Sequence, residues 1–169
     1  MKGIAWGLLA AWVIHDAEEL ATMAGWSREA PEQVRAVLPG VPDAVVEQLP
    51  MTRAEAATAI GLTGVVMAAA SFAGARSGGR SAFFQAALTG FGMHGVTHLA
   101  QSAVLRRYTP GLVTTPLVVI PFSLWAWRRL RAYDVPPAPS NARLNLALAA
   151  AVPLSHAIAR LPRLRRPRG

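Results

Sequence analysis

Five stretches of this chain, 3–25, 54–75, 81–105, 112–127 and 144–161, are apolar over the length of a membrane helix or close to it. About 20 residues suffice, because ~30 Å of hydrocarbon is crossed at ~1.5 Å per helical residue. None of the stretches alternates apolar with polar residues at a period of two, so they read as helices and not strands. The expected fold is therefore all-α: a polytopic transmembrane helical bundle of about five spans, forming one domain over residues 1–161. Pro116, Pro121 and Pro153 bend the two short spans and free carbonyls that neighbouring helices must satisfy.

Composition points the same way. The chain is 53% hydrophobic and 15% charged, whereas a soluble domain carries about a quarter charged residues. Its 17 basic residues against 9 acidic ones give +8. They cluster between the apolar stretches, as at span ends, and do not line a face as in a nucleic-acid binder. Membrane lipids are the expected partners, nucleic acid is not, and the pattern fixes no oligomeric state.

Residues 26–53, with four prolines, read as a surface cap with amphipathic pieces at 31–38 and 42–49. Pro136, Pro137 and Pro139 mark a stiff linker. Residues 162–169 form a basic tail suited to anionic headgroups. Basic residues on the two sides leave the orientation open, since the balance turns on whether that tail is counted. Absence of cysteine excludes disulfides, thiolate metal sites and cysteine nucleophiles. Met1–Ala24 has the outline of a signal peptide, but Asp16, Glu18 and Glu19 interrupt it and favour a first span. Small residues at Ala57 and Gly61, Gly64 and Ala68, and Gly74 and Gly78 fit either close helix packing or plain Ala/Gly richness.

The residues that do not belong in apolar helices carry the functional argument. All four histidines, His15, His94, His98 and His156, fall inside these stretches, and so do Glu18 and Glu19. An ionisable residue at span centre costs about 2.5 to 3.5 kcal/mol on insertion scales, so such residues mark sites. No Lys or Arg lies in a span core, and the glutamates need a proton, an imidazolium or a bound cation. His15, Glu18 and Glu19 share one helix face, and His94 and His98 share another at a spacing that lets two imidazoles reach one metal. His15, His94 and His156 lie at equal depth, roughly 18 to 20 Å into three spans of the same direction.

His15-Asp16-Ala17-Glu18-Glu19 reads His-x-x-Glu-Glu near the start of a small multi-span chain. This resembles the HXXEE-motif family of bacterial membrane proteins, and the later His94-Gly95-Val96-Thr97-His98 fits that likeness. The resemblance implies a multi-pass protein of the bacterial inner membrane with a site at His15, Glu18 and Glu19, and implies no reaction.

The metal reading takes His94 and His98 with His15 or His156 as imidazole ligands and Glu18 or Glu19 as a carboxylate ligand. The ion would be divalent: Zn, or Fe or Mn. A remaining glutamate would be the catalytic base of a metal-dependent hydrolase, or the site would serve an oxidoreductase, acting on a lipid or other apolar substrate. Gln101 and Asn145 share faces with His98 and His156 and are expected as supporting donors. Asp16 points away from the cluster face on a helical wheel. The alternatives are a proton-coupled or ligand-binding carrier, and a scaffold that uses the same residues for interhelical hydrogen bonds.

Overall fold

The computed structural model describes residues 1–139 and 141–164, with side chains described through residue 162. Six α-helices follow in chain order: α1 Lys2–Val37, α2 Asp43–Val46, α3 Arg53–Arg76, α4 Ala82–Leu105, α5 Ile120–Ala132 and α6 Ala142–Leu164. A π-helical turn, Thr115–Val119, leads into α5, and the described residues hold no strand. The all-helical expectation is met.

Local chemistry sets several boundaries. Thr52 caps α3 by accepting from the Glu55 amide at 3.1 Å, while Glu55 accepts from the Thr52 amide at 2.7 Å. This reciprocal box satisfies two donors that a helix start leaves free. Ser81 begins α4 by accepting from the Phe84 amide. The π turn holds Pro116 and ends just before Pro121, and its amide–carbonyl bond from Ile120 reaches back to Thr115. Pro121 has no amide to donate, so the wider turn takes up the register that a regular α-helix would lose there.

Three expected boundaries move. The first span does not stop at Gly25, because α1 runs on through Pro31 to Val37. Proline removes only one bond of the ladder, and the extension has its own buried contacts: Ala30 is fully buried, and Ser27 accepts from the Met51 amide at 3.0 Å. The surface cap therefore shrinks to the segment around α2, tied back by an Arg35–Asp43 ion pair of 3.1 Å. The fourth stretch opens on the π turn and continues past Trp127 to Ala132. At the other end α6 reaches Leu164, so the basic tail starts inside a helix, and its residues 165–169 lie outside the described ones.

Two helices, Arg53–Arg76 and Ala142–Pro162, are long and apolar enough to cross a membrane. At 36 and 24 residues α1 and α4 have the length, but they carry the acids, histidines and glutamines inside them. The expected five spans are thus not reached on length and apolarity together.

α1 packs along α3 and also meets α4, α5 and the π turn, while α6 lies across α3 and α4. The core between them holds Leu8, Phe84, Leu88, Val119 and Leu130, all fully buried. The small residues of α3 divide by contact. A Cβ on Gly74 would stand 2.5 Å from the Phe84 ring and one on Gly64 2.7 Å from Trp12, while one on Gly61 would meet nothing within 4 Å. Helix propensity alone favours alanine over glycine by up to about 1 kcal/mol. Gly61→Ala is expected to gain that amount. Gly74→Ala should lose about 1–3 kcal/mol through overpacking, because the buried Phe84 ring has nowhere to swing. Denaturant titrations of the two variants side by side check the opposite signs.

Candidate metal centre

Four side chains from two helices converge at one level. His15 and Glu19 come from α1, one turn apart, and His94 and His98 from α4, again one turn apart. Each offers one donor atom, and these atoms all lie within 4.8 Å of one another. His98 Nε2 is 2.8 Å from His94 Nε2 and 3.2 Å from Glu19 Oε1, while His15 Nε2 is 3.9 Å from the same Glu19 oxygen. The three imidazoles meet edge to face, with centroids 4.3 to 5.4 Å apart. His15 is fully buried, and His98 and Glu19 nearly so.

This spacing suits a cation. Around an ion held at ~2.1 Å, neighbouring ligand atoms stand about 2.9 to 3.4 Å apart. The His94–His98 and His98–Glu19 gaps are already of that size, and His15 closes the set with a small approach. Two imidazole nitrogens at 2.8 Å need a proton or a cation between them. Three imidazoles and one carboxylate form a nitrogen-rich set that suits Zn or Fe better than Mg or Ca.

Behind these donors stands the loop between α4 and the π turn, residues 106–114, which the sequence reading did not implicate. Glu18 does not join the four donors. Its Oε1 accepts from the Tyr108 hydroxyl at 2.7 Å and the Val113 amide at 3.1 Å. Its Oε2 accepts from the Thr114 amide at 2.8 Å and the Thr114 hydroxyl at 2.6 Å. Partial burial, with the Glu18 carboxylate alongside, raises the Tyr108 phenol above its ordinary pKa and keeps it a donor.

The consequence for His15 follows from counting protons. The single Thr114 hydroxyl proton goes to Glu18, so the Thr114 oxygen accepts from His15 Nδ1 at 2.8 Å. With its proton on Nδ1, His15 turns a lone pair on Nε2 toward the cluster, and that nitrogen is buried with no hydrogen-bond partner. Such an outer hydrogen bond is how metal-binding histidines are held in the ligating tautomer. Elsewhere in the loop, the Pro110 carbonyl stands beside His98, and Ser102 and Thr109 share a short hydroxyl–hydroxyl contact. Gly111, at φ +82°, backs both rings: a Cβ there would lie 2.7 Å from His15 and 2.9 Å from His98.

The other expected site residues fall elsewhere. His156 lies outside the four-donor group and lines, with Glu19 and His94, a cavity of about 740 Å³ between α1, α3, α4 and α6. Asn145 lines that cavity too, together with the His156 whose face it shares. Gln101 is exposed beside Val34 and Leu38, which removes it as a supporting donor. Asp16 does not look outward: it is buried on the cavity wall. Thr114, Tyr108 and Gly111 were missed because a loop has no period from which a face can be read.

The cluster takes His15 and Glu19 from the His-x-x-Glu-Glu motif and both histidines of the His-x-x-x-His pair that it faces. A family model described as proteins of unknown function with an HXXEE motif matches residues 6–126. The chain belongs to the HXXEE family. That match covers α1 through the first half of α5, and so takes in all four donors and the loop behind them. No curated protein and no solved structure matches this HXXEE chain.

Two substitutions probe the loop as a support. Thr114→Val keeps the shape but takes the shared hydroxyl from Glu18 and His15, and should destabilise by about 1–3 kcal/mol, with Thr114→Ser near neutral. Gly111→Ala combines a strained φ with a clash on two rings and should cost about the same. Equilibrium unfolding of the three variants tests both.

Proposed function

We propose that this protein is a multi-pass integral membrane protein whose helices enclose one divalent metal ion, Zn or else Fe or Mn, held by His15, Glu19, His94 and His98. The observation that carries the metal is the convergence of these four donors within 4.8 Å of one another in a buried setting. Such an ion would supply Lewis acidity and would lower the pKa of a water added beside the four ligands. Glu19 reaches both the donor cluster and the cavity, and its carboxylate oxygen outside the donor set would accept the proton. Glu18 supports the centre through Thr114 and His15. A hydrolytic reaction on a lipid or other apolar substrate fits best, because the cavity that reaches Glu19 and His94 is walled by residues such as Ile60, Met67, Phe91 and Leu148.

The membrane reading is supported by where the apolar surface lies. A soluble protein buries its most apolar helices, yet only 28% of the apolar window in Arg53–Arg76 and 11% of that in Ala142–Pro162 is buried. Val65, Phe72, Met93, Leu117, Leu146 and Leu154 are all more than half exposed. Large exposed apolar areas mark surfaces meant for lipid or a partner. Arginines at 128, 129 and 131 would face headgroups.

A proton-coupled carrier is the second reading, favoured by the continuous hydrogen bonds from Glu18 through Thr114 to His15. Metal analysis of untagged protein in detergent separates the two. The expected result is about one Zn, Fe or Mn per chain, lost in Glu19→Gln and in the double variant His94→Ala, His98→Ala. Thr114→Val should weaken binding about 10- to 100-fold while leaving the ligands in place. A wild type that stays metal-free after resupply removes this reading, and proton flux in liposomes then tests the carrier.

A further inference from the structure

The cavity beside the cluster has a charge pattern that the four donors do not explain. In a chain with 17 basic and 9 acidic residues, the cavity lining holds two carboxylates, Asp16 and Glu19, and no Lys or Arg. Glu19 is engaged by His98 at 3.2 Å. Asp16 is only 7% exposed and makes no hydrogen bond or ion pair among the described residues. Arg160 stands beside His156 but outside the lining. A buried carboxylate without a partner is costly and needs a counter-charge or a donor.

Comparing the carboxyl groups gives the same answer. The three carboxyl groups are not equally met: Glu18 accepts four hydrogen bonds, Glu19 has His98 at 3.2 Å, and Asp16 at the cavity wall has neither. Around it the walls are apolar and aromatic, with Trp12, Phe91 and Trp127 among the lining residues, and aromatic faces attract cations. At about 740 Å³ the cavity falls within the range that holds a small-molecule ligand. An anionic amphiphile would set a second acid against Asp16, and a neutral alcohol would bring it no positive charge.

We infer that this cavity binds an apolar amine, a cationic amphiphile whose ammonium group pairs with Asp16 while its hydrocarbon chain lies along α3, α4 and α6. As a substrate class this rests on the metal reading above; as a ligand it does not, because Asp16 is not one of the four donors.

The test uses the full chain in phosphatidylcholine nanodiscs, with radiolabelled decylamine measured above the background of empty discs. Unlabelled decylamine should displace the label at about tenfold lower concentration than decanol, and decanoate should compete least. Asp16→Asn should erase the preference for the amine over the alcohol. A second variant covers the case of a misfolded Asp16→Asn: Gly90 lies on the cavity wall with open space at its Cβ, so Gly90→Leu should narrow the cavity and weaken the saturable binding. Equal competition by decanol, an unchanged preference in Asp16→Asn, or full binding in Gly90→Leu overturns the inference. Each assay is run on chelator-stripped and on zinc-loaded protein. Amine preference in the stripped protein supports the inference whatever the metal content, and its absence from both overturns it even where one zinc per chain is bound.

Discussion

Glu18 is the point on which the arrangement depends, and it acts by what it accepts. Four donors from Tyr108, Val113 and Thr114 converge on its carboxylate, from a loop about ninety residues away in sequence. Hydrogen bonds to a charged group contribute roughly 1.5 to 3 kcal/mol each, more than most neutral contacts. They fasten the loop after α4 to the middle of α1. Because the Thr114 hydroxyl is consumed by Glu18, the tautomer of His15 is decided two atoms further on. One carboxylate thereby fixes the loop, the loop backs two imidazoles through Gly111, and the imidazoles face Glu19.

The two adjacent glutamates of the motif consequently have different work. Consecutive residues on a helix are about 100° apart, so Glu18 and Glu19 cannot face the same neighbour equally. Glu18 turns to the loop side and Glu19 to α4 and the cavity. Read as a pair, they looked interchangeable as ligands, because the wheel puts both within reach of His15. What separates them is the partner across the bundle, and that partner is a loop whose position a helical period does not encode.

The same distinction marks how far the sequence could be read. Helical class, the outlines of α3 and α4, and the meeting of His15, Glu19, His94 and His98 followed from spacing and from depth counted at ~1.5 Å per residue. Depth placed His156 at the same level as His15, but level is one coordinate of three. α6 packs on α3 and α4, so His156 reaches the cavity and not the far side of the cluster. Gln101 failed for the related reason that a shared face with His98 on one helix says nothing about which residues stand opposite. The extension of α1 through Pro31 was hidden because proline reads as a stop, while buried contacts such as Ser27 with Met51 compensate for the one missing bond.

Hydropathy and site chemistry pull against each other along this chain, and the division between helices resolves the conflict. The residues that make the cluster lie on α1 and α4, and α3 and α6 are the helices that remain apolar enough to meet hydrocarbon. α6 lies across α3 and α4 on the cavity side, so its apolar residues stand on the outer wall of the chamber that Asp16, Glu19 and His94 line. A low-dielectric wall strengthens every interaction between a buried charge and an ion inside it. It equally raises the cost of leaving such a charge unpaired. In the proposed bilayer setting the exposed faces of α3 and α6 would do two things with one property: hold the bundle in lipid, and raise the demand of Asp16 and Glu19 on the cavity wall for a positive partner.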